Sequence, residues 1–423
     1  LQEEFVADVT LEAFLPEITN QHAQQALATG GLGFLAGETF IGYSRIGLPV
    51  IGCMPLYEHY RGPNGEWEQI DWDNQEGVER VLVNGQPMFF GVDFNGTAYT
   101  VEPYVVMRGN TPLIAMRCPE IYDVMYPSEP EKVKHYAFTG RCVAELFKAF
   151  ASAPVLLRLN EPQIFFTIVA VENDKYFFRA KGQRSVWDGT GYVMTTHTPE
   201  AAALPVYSDV NWLKNQIGAD MVPDWIVYDG KVDLARRAAE KVILINAVAP
   251  EHGDVTRLVV LPAYSYKTTA ILNASDPEAW KMPELKAKEA QAAAAGQKVT
   301  GGDLWTVGQH TKILLNDYLQ REINSAFSDL DRPLVGLVRR LVEYKEQGIL
   351  FALIRWICGD RSSKYKLPWG EEFGLGANLL VGGIARDTVG TGWVKEFKKL
   401  MEEEDLKGKF IFVENSGTQF MQL

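Results

Sequence analysis

The stretch Leu27-Ala28-Thr29-Gly30-Gly31-Leu32-Gly33-Phe34-Leu35-Ala36-Gly37-Glu38 gathers glycines around an apolar run. Glycine permits φ > 0 and close backbone approach. A glycine-rich turn that opens a helix aims unpaired N–H groups and the positive dipole end at whatever lies in front, most usefully a phosphate. Asn160-Glu161 and Thr195-Thr196-His197-Thr198-Pro199 each close a strand-like apolar run. Ligands of open α/β sheets gather at the carboxyl ends of strands, so Asn160, Glu161 and His197 fall where a site is expected. A further run, Arg332-Pro333-Leu334-Val335-Gly336-Leu337-Val338-Arg339-Arg340, ends in two cations. Each feature also has a plain structural reading. Asn160-Glu161 suits a helix cap with a solvated carboxylate, His197 a turn residue, and Arg339-Arg340 a surface basic pair.

The elements that would position these residues alternate. Glu4 to Thr10 reads as a short strand, residues 33–46 as a helix, and Gly47 to Cys53 as a buried strand bounded by glycine and proline. Strand, glycine turn, helix, strand is the βαβ pattern of a parallel sheet. Residues 56–110 change to short alternating runs punctuated by Gly and Asn, which predict antiparallel hairpins inserted into that unit. The α/β pattern resumes with a helix over Lys132–Phe150, a strand at Val155–Asn160, a helical or extended segment at Ile164–Val171 and a strand at Gly191–Thr196; Lys241–Ala249 continues it. An Ala-rich helix covers 284–300, and a second helix covers roughly 308–327. Strands at 332–340, 379–383 and 409–413, with a helix near 391–403, read as a further parallel unit. These readings give an N-terminal Rossmann-like domain at 1–285, a helical connection at 286–330 and a partial C-terminal Rossmann-like domain at 331–423.

Composition excludes several function classes. The formal net charge of −13 argues against a general nucleic-acid binder and against an anionic membrane surface. Any phosphate ligand must therefore be held by a few local cations. Cys53, Cys118, Cys142 and Cys358 lie far apart without C-x-x-C pairs, so no zinc site or disulfide framework is indicated, and reduced thiols of a soluble, cytoplasmic protein are expected. With 423 residues, at about 150 per domain, there is room for two or three domains. His22, His59, His135 and His310 match no motif.

Leu15-Pro16, Thr29 to Glu38 and Gly47-Leu48-Pro49-Val50 resemble the L-P…G-G-L-G-x-L-A-G-D…G-L-P-V block of the α-glucan phosphorylases, the glycogen, starch and maltodextrin phosphorylases. Leu56-Tyr57, Gln69-Ile70-Asp71 and Asn74-Gln75-Glu76 are similar to the block that follows it. In the same order come Leu159-Asn160-Glu161, Thr195 to Pro199, Asn246-Ala247-Val248 with His252-Gly253, Leu272-Asn273 with Trp280, and Val338 to Lys345. The resemblance implies a GT-B type α/β glycosyltransferase, two Rossmann-like domains facing a cleft. It also implies reversible phosphorolysis of α-1,4-glucan or maltodextrin by inorganic phosphate to glucose 1-phosphate, with pyridoxal phosphate as cofactor and commonly a homodimer. By the same resemblance, the N–H groups of Gly31 and Leu32 would face phosphates, and Arg340 and Lys345 would clamp the substrate phosphate. His197, Asn273 and Tyr344 would hold the glucosyl unit, and Glu161 would shape its pocket.

The chain departs from that pattern at several points. The family's pyridoxal lysine lies in an E-A-S-G-T-x-x-M-K block; read against Glu414 to Leu423, it would place Gln422 at the lysine. Lys409 to Asn415 looks instead like the family's earlier V-I-F-L-E-N strand, which leaves the lysine segment outside the sequence. Gln163 stands where the family often has His, and Ile384 where it usually has Lys. Two alternatives follow: a shortened, cofactor-free relative that binds glucan without turnover, and a sugar-nucleotide-dependent glucan synthase of the same architecture. The synthase's K-x-G-G-L signature lacks its lysine here, because Ala28 occupies the position.

Overall fold

The computed structural model describes residues 4–28, 31–61, 66–199, 204–273, 275–339, 341–343, 346–383, 385 and 388–414. The chain divides into two compact units, Leu1–Asp276 and Pro277–Leu423.

In the first unit, β1 (Val6–Val9), α1 (Gln21–Leu27), α2 (Gly31–Ile46) and β2 (Val50–Leu56) follow one another, so that the short helix α1 stands between the first strand and the expected helix. Every residue of β2 is buried, as a continuous apolar run covered on both faces should be. The segment after it forms β3 (Glu79–Arg80), β4 (Phe90–Phe94), β5 (Thr97–Arg108) and β6 (Thr111–Arg117). In β4, Phe90, Val92 and Phe94 are buried while the residues between them are exposed, the period of two that a half-covered strand requires. Asn95 and Gly96 both take positive φ at the β4–β5 turn, which matches the twist of a tight hairpin. The expected hairpins are present, but they extend the main sheet: β3, β4 and β6 pair antiparallel with β5, and β6 runs parallel beside β2.

The unit continues through α3 (Glu131–Ala149), β7 (Leu156–Asn160), α4 (Phe166–Ala180), β8 (Gly191–Thr196), α5 (Val210–Ile217), α6 (Leu234–Lys241), β9 (Leu244–Ala247), α7 (Pro250–Val255) and β10 (Thr268–Ala270). The segment from Ile164 is helical, and α4 carries it to Ala180. Strand order is β10-β9-β8-β7-β1-β2-β6-β5-β3, with β4 alongside β5. From β10 to β6 the pairing is parallel throughout. The chain leaves β1 towards β2 on one side and later places β7 on the other. The strand order therefore reverses between β1 and β7, and the crevice beyond their carboxyl ends is the place where open sheets bind ligands.

The glycines of α2 do different jobs. A Cβ at Gly37 would stand 2.0 Å from the Phe14 carbonyl oxygen, and one at Gly33 would stand 2.6 Å from the Ala28 Cβ. The Phe14 N–H donates to the Gly33 carbonyl at 2.8 Å, and the Ala13 N–H to the Leu27 carbonyl at 3.0 Å, fixing the helix against the segment that leaves β1. Gly33 and Gly37 are therefore packing residues. Gly31 has nothing within 4 Å of its Cβ position, so it alone of these three opens onto space. Gly37→Ala is expected to cost about 1–3 kcal/mol of stability through overpacking, read as a lower Tm, whereas Gly31→Ala leaves Tm nearly unchanged. Equal Tm values for the two variants would contradict this division.

In the second unit, β11 (Leu334–Val338), β12 (Asn378–Gly383) and β13 (Phe410–Glu414) form a parallel sheet in that order. It is accompanied by α8 (Pro283–Ala294), α9 (Gly301–Ile323), α10 (Leu350–Cys358) and α11 (Thr388–Met401). Helix α9 starts earlier than the sequence suggests because Thr300 and Asp303 make a reciprocal capping box. Phe397 of α11 stacks on Phe412 at 5.2 Å between ring centres and closes the core over the sheet. Among the described residues, no helix is long and apolar enough to cross a membrane, and no cluster of His, Cys, Asp and Glu is placed to hold a metal ion. The four cysteines are free and buried.

Candidate functional site

The carboxyl ends of β1, β7 and β8 each deliver polar residues to the crevice between β1 and β7. From β1 come Thr10 and Glu12, from β7 Asn160 and Glu161, and from β8 Thr195 and His197. They form one hydrogen-bonded chain. The Thr10 hydroxyl donates to the Glu12 carbonyl at 2.9 Å and accepts from the Asn160 amide nitrogen at 3.1 Å. That pins the Asn160 amide, whose Oδ1 lies 2.7 Å from His197 Nε2. Because Asn160 presents an oxygen, Nε2 carries the proton and donates, which leaves Nδ1 as an acceptor. Burial, with the Arg158 guanidinium and then His252, drives the His197 pKa down to about 3. The ring is neutral across the physiological range.

Beneath this chain lies a buried charge pair. Arg158 of β7 donates to Asp8 of β1 at 2.5 Å and, through Nε, to the Thr195 hydroxyl at 3.1 Å. The Tyr43 hydroxyl donates to Asp8 at 3.0 Å. Burial works against the Arg158 charge, but Asp8 and Tyr43 outweigh it and its pKa is raised. The pair ties β1 to β7 and β8 directly below Asn160.

Glu161 is the strained member. Its backbone has φ 100° and ψ 149°, a region that is costly for any residue with a Cβ and that gathers at functional sites. One carboxylate oxygen accepts the His197 N–H at 3.1 Å, while Oε2 is buried without a partner. Burial pushes its pKa up to about 8; the His197 N–H opposes the rise and Glu12 adds to it. The folded chain thus prefers the protonated carboxyl, so this group's stability contribution is complete below the ordinary value of 4.5 and is lost as pH rises through about 8. Glu161→Gln mimics the protonated form. Its Tm is expected to exceed that of the parent by an amount that grows from pH 5 to pH 8, and a pH-independent difference would contradict the buried-carboxyl reading.

The other expected residues fall as follows. Gly31 is exposed and Leu32 half-buried at the first turn of α2, which follows β1. Asn273 is exposed beyond β10, its N–H donating to the Val248 carbonyl at 3.2 Å beyond β9. Thus Gly31, Leu32, Glu161, His197 and Asn273 all lie past carboxyl ends of one parallel sheet. Arg340, Tyr344 and Lys345 lie outside the described residues, as do Ile384 and Gln422. Arg339 is described and donates its N–H to the Gly382 carbonyl at 3.0 Å in the second unit. Sequence reasoning missed Thr10, Glu12 and the Asp8–Arg158 pair, although Thr10 and Glu12 follow β1 much as Glu161 follows β7.

No family model matches the chain, and no curated protein matches it. Among solved structures, the catalytic domain of starch synthase IV from Arabidopsis thaliana, bound to ADP and acarbose, matches with a TM-score of 0.68. Identity is 16%, over 99% of this chain and 76% of that one. The fold is that of a GT-B glycosyltransferase. The neighbour is a starch synthase, and this corrects the resemblance to the α-glucan phosphorylases. Among the blocks that suggested it, Asn160-Glu161 and Thr195 to Pro199 stand at strand carboxyl ends. There the shared architecture itself calls for a tight turn and polar residues, whatever the donor.

Proposed function

We propose that this chain is a sugar-nucleotide-dependent glucosyltransferase that extends an α-glucan and releases a nucleoside diphosphate. The observation that carries the reading is the neutral His197, held by Asn160 beside the unpartnered Glu161 oxygen at the β1/β7 switch point. That cluster sits on a fold shared with a starch synthase catalytic domain whose structure contains ADP and acarbose.

In the reaction, the bond from the sugar C1 to the diphosphate breaks and a bond from C1 to a glucan hydroxyl forms. The hydroxyl proton leaves with the diphosphate. Positive charge grows at C1 and negative charge on the leaving group, so fixed dipoles and cations contribute most. The Gly31 and Leu32 N–H groups offer the diphosphate a helix N-terminus. Ala28 supplies no cation there, and Arg340, Lys345 and Tyr344 remain the sequence-based candidates for the charge of the leaving group and for the sugar. His197 Nδ1 accepts from a hydroxyl of the transferred glucosyl unit, Asn273 adds a polar contact, and Glu161 contributes its unpaired oxygen. Inorganic phosphate, glucose 1-phosphate and pyridoxal phosphate have no role in this chemistry.

Calorimetric titration with ADP and, separately, with maltoheptaose tests the reading. Both are expected to bind, with ADP unaffected by saturating inorganic phosphate. Maltoheptaose binding without any ADP binding would favour the glucan-binding relative and overturn the synthase.

A further inference from the structure

His252 takes no part in the network around His197, yet it is placed beside it. Ala247, at the end of β9, pairs in register with Thr196, the residue before His197. The chain then turns through Val248 and Ala249 into α7, whose third residue is His252. The same turn receives the Asn273 N–H at the Val248 carbonyl. His252 is therefore bracketed by two residues already assigned to the sugar. Gly253 lets this helix come close, since a Cβ there would stand 2.9 Å from that of Ala270 at the end of β10.

His252 is 8% exposed as a residue, and neither ring nitrogen has a hydrogen-bond partner. A neutral imidazole has one donor and one acceptor, and leaving both unmade in a buried place is costly. Native structures rarely leave such groups unpaired, and the exceptions tend to have a use. Burial lowers its pKa, and its positive form would also oppose charge on His197, so both rings are neutral. On the other side of His197, the Glu161 oxygen is likewise unpaired.

We infer that His252 is a sugar-contacting specificity residue, which binds one hydroxyl of the transferred hexose next to the hydroxyl held by His197. This rests on the proposed function, since it presumes a hexosyl donor in the crevice. The neutral ring can donate to one sugar oxygen or accept from it, a bidirectional pairing that suits a hydroxyl and disfavours an anion.

The test uses the full chain with ADP-glucose and with the 2-, 3-, 4- and 6-deoxyglucose analogues of that donor. Of the analogues that the parent protein uses less well than ADP-glucose, one is expected to lack the hydroxyl held by His197 and another the hydroxyl held by His252, this last used about ten-fold less well, the usual scale for one neutral hydrogen bond. His252→Ala should lose about the same factor in KM for ADP-glucose, with kcat little changed, and should no longer discriminate against that one analogue. His252→Gln, which keeps a donor and an acceptor, should restore part of the discrimination, and it serves as the test should the alanine variant fail to fold. Unchanged discrimination against all four analogues in the variants overturns the assignment of His252. Absence of ADP-glucose turnover by the parent protein overturns the synthase reading itself, and this inference with it.

Discussion

His197→Ala is expected to lower kcat/KM for the proposed glucosyl transfer by about 100-fold, the usual scale for removing one preorganised polar contact to a reacting group, and to leave Tm close to that of the parent. The expectation rests on placement. His197 is half-buried at the end of β8, its Nε2 is engaged by Asn160, and its Nδ1 is left to accept from the substrate. Its ring is already neutral above about pH 3. The rate profile of the parent should therefore show no ionisation near 6.5 that disappears in the alanine variant. Such a limb, or transfer by His197→Ala at the parent rate, would remove His197 from the sugar site.

Arg158→Leu is expected to lower the unfolding free energy by about 3–5 kcal/mol, because breaking one side of a buried pair leaves the other charge uncompensated. Asp8 is 1% exposed, and one of its oxygens already lacks a partner. After the substitution, only Tyr43 would remain to meet the carboxylate. The double variant Asp8→Leu/Arg158→Leu should recover most of the loss, since apolar groups of similar volume can replace a buried pair. Denaturant unfolding of the two single variants and the double variant gives the coupling directly. Purely additive losses would show that the pair is structurally idle.

Much of the fold could be read because its signals are local. The βαβ start, the buried β2 and the period of β4 follow from apolar spacing and from glycine and proline at the boundaries. Helix α10 is not legible in the sequence because Leu350 to Cys358 is a nine-residue, largely apolar run, short enough to suit a buried strand equally well. In the site, Asn160, Glu161 and His197 could be located because each closes a strand. Glu12 and Asp8 could not, since their importance depends on β7 and β8 lying beside β1, which no local pattern encodes. The two burial-driven shifts, Glu161 upward and His197 downward, likewise arise only when distant segments remove water from both groups. Strand-end motifs report the architecture, while donor preference is set by the cations and pocket contacts around the site.

The most direct measurement is incubation of the purified protein with ADP-glucose carrying a labelled glucosyl group and with maltoheptaose, followed by chromatography of the glucan and assay of free ADP. The account predicts labelled chains one or more units longer than maltoheptaose, with one ADP released per unit added and no requirement for pyridoxal phosphate. ADP bound without chain growth, or glucose 1-phosphate formed from maltoheptaose and inorganic phosphate, would contradict it.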